Sequence, residues 1–239
     1  MYGSTYYNIY SSGYFWYLIF CIPPLLLGLW ASYNVRATYN KYGKIQNASG
    51  MTGAEAARRI LAQNGISNVA IEMIRGDLTD HFDPKANVIR LSQDVYNSAT
   101  PAAVGVAAHE TGHAIQYANG YTPMKIRGAL IPVANFGSQA GIWIVILGVI
   151  LGIRPLAMFG VIAFGALVLF QLVTLPVEFN ASNRAIKALR EDGRMSETEI
   201  SQSSKVLRAA ALTYVAALAS AVGSFLRLLM MVSGGRNRR

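Results

Sequence analysis

The chain has 239 residues, of which 53% are hydrophobic and 14% are charged, and its formal net charge is +9. Soluble domains carry about 25% charged residues, so this composition argues against an ordinary soluble globular protein and favours a membrane protein. The single cysteine, Cys21, excludes a disulfide framework and a thiolate metal site within one chain.

The first predicted element is a transmembrane helix over residues 14–33. This run contains no charged residue, has aromatic side chains at both ends and is long enough to cross about 30 Å of hydrocarbon. Pro23 and Pro24 predict a kink near its middle. No Lys or Arg precedes the run, which argues for a retained anchor over a signal peptide. Basic residues follow it between positions 36 and 44, which places this end in the cytoplasm.

Residues 45–128 have the composition of a water-exposed portion. A helix is predicted over 52–65, capped by Thr52 and ended by Gly65. Short strands are predicted over 69–74, 78–82 and 87–91, and we nominate the last as an exposed edge strand to which an extended peptide could pair. Thr100 followed by Pro101 predicts the start of a helix over 101–118.

Two further apolar runs, 129–153 and 156–177, predict a transmembrane hairpin that turns at Arg154–Pro155 outside the cell. Basic residues on both open sides of this hairpin place those ends in the cytoplasm. Residues 209–232 form a weaker fourth run, interrupted by Arg227, and we favour a fourth span, although the basic tail 236–239 would then lie outside.

The predicted fold is therefore a mostly α-helical, multi-pass membrane protein with three or four transmembrane helices and a small α+β portion. Basic residues gather beside apolar runs without interleaved aromatic side chains, which predicts a lipid bilayer as partner and no nucleic acid. The predicted segments in chain order are an N-terminal segment with the first span (1–44), a cytoplasmic portion that contains the helix 101–118 (45–128), the transmembrane hairpin (129–177), a cytoplasmic helical segment (178–208), and the fourth apolar helix with the basic tail (209–239).

The sequence HETGH places His109 and His113 four residues apart on the predicted helix 101–118. Side chains with this spacing lie on one helix face, so both imidazoles can reach a single Zn²⁺. Glu110 lies beside them and can take a proton from a water molecule without binding the metal. The surrounding helix is small and apolar on every side, and a metal would satisfy polar groups that are costly to bury alone.

A catalytic zinc site needs a third protein ligand and an open position. His81 is one candidate. Glu178 is the other, because it stands where the run 156–177 ends, at the surface that the helix 101–118 would meet.

Four stretches of the chain, TGAEAARRIL, LTDHFDPKANVIRLS, HETGHAIQ and VEFNASNRA, resemble the bacterial membrane family called "putative neutral zinc metallopeptidases", or YugP-like proteins. The resemblance covers nearly the whole chain, and LTDHFDP and HETGHAIQ are its most specific parts. More distantly, the chain is similar to gluzincin membrane proteases of the HtpX and CAAX-protease type. Those proteins also place a transmembrane hairpin between H-E-x-x-H and a glutamate ligand.

The resemblance implies a zincin-like catalytic portion with one catalytic Zn²⁺. Its ligands would be His109, His113 and Glu178, and Glu110 would be the general base.

The chain departs from the distant relatives at one position. They have an aspartate four residues after the glutamate, often orienting a zinc histidine, whereas this chain has Ser182. Asn180 and Asn183 are the neighbouring alternatives for that contact.

Three further residues are candidates for the active site or for substrate binding. His81 lies in a stretch that is characteristic of the family, although local hydrogen bonding explains it slightly better than metal ligation. Asn183 is a candidate partner of a zinc histidine. Arg184 is close enough in the pattern to polarise a carbonyl group.

These observations predict a zinc-dependent endopeptidase of the bacterial cytoplasmic membrane, with its site facing the cytoplasm and with membrane-proximal protein or peptide substrates. The alternative is a non-catalytic membrane protein with a structural or regulatory zinc site, in which a fourth ligand closes the coordination sphere. A transporter is the weakest hypothesis, because charged residues inside the apolar runs are scarce. The sequence leaves the oligomeric state open.

Overall fold

A computed structural model of the chain describes residues 13–233, with side chains from residue 18 onward. The predicted basic tail 236–239 lies outside the described residues. The elements in chain order are α1 (Gly13–Tyr42), α2 (Gly53–Gln63), β1 (Ala70–Ile74), β2 (His81–Asp83), β3 (Val88–Ser92), α3 (Gln93–Asn97), α4 (Pro101–Ala118), α5 (Thr122–Ile150), α6 (Arg154–Asp192) and α7 (Glu197–Ser233). The predicted class, mostly α with a small α+β portion, is confirmed.

Helices long and apolar enough to cross a membrane form much of the described chain. They are Leu18–Tyr42, Thr122–Ile150, Arg154–Asp192 and Glu197–Ser233. The sequence predicts three or four spans, and each of the four has a helix of sufficient length. The run 209–232 lies within α7, although it contains Arg227.

The local helix signals are confirmed, and the long helices α1, α6 and α7 extend beyond the apolar runs that predict their spans. Thr52 and Thr100 each accept a hydrogen bond from the backbone N–H three residues later, as N-caps do. The hairpin turns at residues 151–153, because Gly152 has φ +69°, and Pro155 lies in the first turn of α6, where proline is tolerated. The apolar run of α6 ends before position 178, but the helix itself does not end there, since α6 continues to Asp192.

The small sheet has the strand order β1-β3-β2, with β1 parallel and β2 antiparallel to β3. The nomination of residues 87–91 as an edge strand is therefore wrong, because β3 is the central strand. Its burial agrees with that position, since Val88, Ile89, Leu91 and Ser92 are all buried. A central strand pairs on both sides. The strand order is set by packing between separate segments of the chain, and local sequence patterns do not contain that information.

The chain divides into two compact units. Within the described residues, one unit contains 13–30, 126–174 and 213–233, and the other contains 31–125 and 175–212. The first has a core of apolar side chains from α5, α6 and α7, and glycines of α5 approach the backbone of α6 closely. The second holds the sheet, α2, α3 and α4, and its largest buried cluster joins α2 and α4 to parts of α6 and α7.

Gly112 controls how closely α4 approaches α6 in the second unit. A Cβ atom at this position would lie 2.5 Å from the carbonyl oxygen of Ala181, so a larger residue forces the two backbones apart. Gly112 and Ala181 directly precede His113 and Ser182 along their helices. The close contact therefore sets the distance between the polar side chains that α4 and α6 direct towards each other.

We predict that Gly112→Ala destabilises the protein by about 1–3 kcal/mol, because the added methyl group overpacks a backbone contact. The same variant should bind less zinc, since separation of α4 from α6 moves their side chains apart. Thermal unfolding in detergent and zinc content by elemental analysis measure the two effects. Gly128→Ala is the matched control, because a Cβ at Gly128 meets no atom within 4 Å. Equal stability and zinc content in both variants would contradict the role of Gly112.

Candidate metal centre

His109 and His113 lie on one face of α4, one helical turn apart. Their rings pack edge to face, with centroids 4.7 Å apart and an angle of 81° between the ring planes. The helix begins as the sequence predicts, with Thr100 as N-cap and Pro101 in the first turn. The two imidazoles therefore present nitrogen atoms to the same region beside α4.

Glu178 of α6 meets this pair of histidines. Its Oε2 atom lies 3.3 Å from Nε2 of His109 and 3.6 Å from Nε2 of His113. One ligand atom from each of the three residues lies within 4.8 Å of the others. We call His109, His113 and Glu178 the metal-ligand cluster. Two ligand atoms at about 2.0–2.1 Å from a tetrahedral zinc ion are separated by about 3.3–3.4 Å, so these spacings fit one ion with little adjustment.

The electrostatics of the cluster also favour a cation. Glu178 is 2% exposed, and a carboxylate buried to this extent needs positive charge nearby. Burial opposes a charge on His113, but hydrogen bonding to Glu178 and the negative charges of Glu110 and Glu178 outweigh it and raise the pKa of His113 above its ordinary value. The donor set and its charge therefore fit a divalent metal.

The outward-facing nitrogen of His109 contacts α6. Nδ1 of His109 lies 3.1 Å from Oγ of Ser182, the fourth residue after Glu178 on α6. Asn183, the neighbouring candidate, is exposed. The hydrogen bond between Nδ1 of His109 and the Ser182 hydroxyl holds the imidazole ring with Nε2 directed towards Glu178.

Gln116 makes the corresponding contact to the second histidine. Its Oε1 lies 3.0 Å from Nδ1 of His113, while its Nε2 donates to the carbonyl of Val177 at 2.8 Å and to Oδ1 of Asn180 at 3.0 Å. Because the amide nitrogen has both donor bonds on α6, the amide oxygen is the acceptor and His113 carries its proton on Nδ1. Nε2 of His113 faces Glu178 and is the nitrogen that a metal ion would bind.

Arg184 supports this network from one turn further along α6. Its Nε donates to Oδ1 of Asn180 at 2.7 Å, and its guanidinium lies 5.9 Å from the centre of the Tyr121 ring. These contacts connect Arg184 to His113 through two intervening side chains.

Glu110 is buried beside the metal-ligand cluster but is not one of its three members. Its Oε2 accepts a hydrogen bond of 3.0 Å from the backbone N–H of Phe82 in β2. Asp80, two residues earlier, accepts bonds from the backbone N–H and hydroxyl of Ser92, and burial together with the charge of Glu110 raises the pKa of Asp80. These contacts attach the start of β2 both to the sheet and to the carboxylate of Glu110.

His81 lies outside the cluster. Its side chain is exposed, its Nδ1 is 2.8 Å from the carbonyl oxygen of Thr79, and its Nε2 is 3.5 Å from the guanidinium of Arg90. Of the two candidates for a third donor, the structure thus brings Glu178 and not His81 to the histidine pair.

Two contributors to the site were missed from the sequence. Gln116 carried a usable signal, since it is a polar residue three positions after His113 within an otherwise apolar helix. The backbone N–H of Phe82 carried none, because every non-proline residue has this group and only the fold decides where it points.

Comparison with known proteins gives a family and a relative for this chain. The family model described as "Putative neutral zinc metallopeptidase" matches residues 17–233. The chain is 43% identical over 221 residues to "Putative membrane protease YugP" of Bacillus subtilis (strain 168), which covers 92% of this chain and 98% of that protein. No solved structure matches. The more distant likeness to HtpX and CAAX-type proteases stays a prediction.

We predict that the two functions of Gln116 separate in a pair of variants. Gln116→Met keeps the side-chain volume but removes the acceptor for His113, so zinc affinity should fall about 10–100-fold. Gln116→Glu keeps the acceptor and should hold zinc within a few-fold of the wild type. Both variants lose the donor bonds to α6, so both should unfold at lower temperature.

Competition of the purified protein against a chromophoric zinc chelator measures the affinities. If Gln116→Glu loses as much zinc affinity as Gln116→Met, Gln116 only ties α4 to α6 and does not orient His113.

Proposed function

Because the chain belongs to the family described as "Putative neutral zinc metallopeptidase", we propose that it is a membrane-embedded zinc-dependent endopeptidase of the gluzincin type. One observation carries the proposal: His109 and His113 of α4 and Glu178 of α6 converge on one point, and Glu110 lies beside them without joining the ligand group. This is the arrangement that metal-assisted hydrolysis requires, with ligands and a base as separate groups.

The chain's own residues would divide the work as follows. His109, His113 and Glu178 would hold the zinc ion, and Ser182 and Gln116 would keep the two imidazoles in the orientation and tautomer that metal binding needs. A bound zinc ion would supply Lewis acidity for a water molecule and for the carbonyl group of the substrate.

Glu110 would act as the general base. Its carboxylate would take a proton from the attacking water as the oxygen bonds to the carbonyl carbon of the scissile peptide. When the C–N bond breaks, Glu110 would return the proton to the leaving amine nitrogen. The hydrogen bond from the N–H of Phe82 holds this carboxylate in place from the side of β2.

The substrate would lie along β2. This strand ends the sheet on the side away from β1, and the N–H of its middle residue, Phe82, already reaches Glu110. A peptide in extended conformation added at this edge would therefore pass the general base, held by backbone hydrogen bonds that do not depend on its sequence.

The alternative function, a structural or regulatory zinc site, predicts a fourth protein ligand that closes the coordination sphere. His81 was the candidate for that role, and it is turned to Thr79 and Arg90 instead. Among the described residues, the donor group has three members. An open fourth position favours the catalytic function.

The site would face the cytoplasm of a bacterium, and the substrates would be membrane-proximal protein segments. Basic residues at the open ends of the apolar helices support this orientation. The position of Glu178 supports this substrate class, because Glu178 lies on α6, whose earlier part is an apolar candidate span.

We predict that Glu110→Gln keeps stoichiometric zinc but lowers peptide cleavage at least 100-fold, because the amide cannot accept the proton. New amino termini generated from a mixture of bacterial membrane proteins, counted by mass spectrometry, measure the cleavage. Glu55→Gln is the control, since Glu55 is an exposed glutamate on α2. Undiminished cleavage by Glu110→Gln would overturn the assignment of the base, and absence of bound zinc in the wild type would overturn the site.

We also predict that residues 153 and 198 lie on opposite sides of the membrane. With the only cysteine removed by Cys21→Ser, Ile153→Cys should react with a membrane-impermeant maleimide on intact cells. Thr198→Cys should react only after permeabilisation, because it lies between α6 and the apolar part of α7 on the cytoplasmic side. Labelling of Thr198→Cys in intact cells would reverse the proposed orientation.

A further inference from the structure

A groove of about 550 Å³ lies between α6 and α7, within the unit that holds the metal-ligand cluster. It follows residues 179–190 of α6 and residues 197–211 of α7. No step of the proposed hydrolysis uses it.

The groove is strongly basic. Lys187, Arg190, Lys205 and Arg208 line it, against a single acidic residue, Glu197. Arg190 is paired with Glu197 at 2.9 Å. Among the described residues no salt bridge reaches Lys205 or Arg208, and Nζ of Lys205 lies 5.9 Å from the centre of the Tyr42 ring. Two cations on one helix, one turn apart, are thus available to an anionic ligand.

The groove also changes character along its length. At one end, the Arg190–Glu197 pair lies beside the turn that joins α6 to α7. At the other end, the lining is apolar, with Phe179, Leu207 and Ala211. From this apolar end both helices continue into their apolar runs, so a ligand that fits has a charged head and an apolar remainder.

The groove does not lie on the side of the histidines that faces the metal ligands. Ser182 lines it, and the hydroxyl of Ser182 contacts Nδ1 of His109, whereas Nε2 of His109 faces Glu178. A molecule in the groove is therefore separated from the cluster by His109 and does not occupy the position of a scissile peptide.

We propose that this groove binds one anionic phospholipid, with its phosphate at Lys205 and Arg208 and its acyl chains towards Phe179 and Ala211. Basic pockets of membrane proteins recognise phosphate headgroups through such charges, and the apolar end distinguishes a lipid from a free anion. The proposal is independent of proteolytic activity.

The test uses the full chain in neutral detergent, titrated with phosphatidylglycerol and, separately, with phosphatidylcholine, with bound lipid counted by native mass spectrometry. We expect one phosphatidylglycerol to bind at least tenfold more tightly than phosphatidylcholine. Lys205→Gln combined with Arg208→Gln should weaken phosphatidylglycerol binding about 25-fold, since each basic residue near an anionic lipid contributes about a fivefold factor. Arg75→Gln combined with Lys85→Gln removes the same charge from exposed residues outside the groove and should have no effect.

A second variant, Ser201→Glu, places a negative charge on an exposed position of the same groove and should also weaken lipid binding. It keeps the proposal testable if the double variant does not fold. Unchanged binding in Ser201→Glu, or an equal loss in the control pair, would overturn the site. Displacement of the lipid by millimolar inorganic phosphate would show a free-anion site instead, and displacement by polyglutamate would show a surface for acidic peptides. Either outcome would overturn the lipid assignment.

Discussion

A buried carboxylate between two imidazoles is the interaction on which the arrangement of this unit depends. Glu178 is almost completely removed from water, and a charge in that position is tolerated only if positive groups or a cation face it. The two nitrogen atoms of His109 and His113 lie close enough to share one metal ion with it. The packing of α4 against α6, with no side chain between the backbones at Gly112, makes this convergence possible.

The contacts around the cluster come largely from the helix that provides Glu178. Ser182 is hydrogen-bonded to His109, and Gln116 links His113 to Val177 and Asn180 of α6. A small movement of α6 would therefore change the third donor and both ring orientations together. The α6 groups that take part in this coupling are Val177, Glu178, Asn180 and Ser182, and all of them lie in the short segment 177–182.

Two buried carboxylates lie within this site in different surroundings, and their surroundings suit different roles. Glu178 faces two imidazoles, whereas Glu110 faces the backbone N–H of Phe82 and has Asp80 as an acidic neighbour. Opposite charge suits a carboxylate that acts as a metal ligand, whereas the carboxylate of Glu110 is held by a backbone donor outside the ligand group. The division of labour proposed for hydrolysis rests on this difference.

The amino-acid sequence by itself determined the features that depend on neighbouring residues. The helix 101–118, its cap at Thr100, the placement of His109 and His113 on one face and the apolar runs all follow from short-range signals, and the structure contains each of them. Only the tertiary structure brought Glu178 and not His81 to the histidine pair, and only it placed Ser182 and Gln116 against the histidines and β3 at the centre of the sheet. Those outcomes depend on distances between segments far apart in the chain, and such distances are set by packing contacts such as that of Gly112 with Ala181, which no local pattern contains.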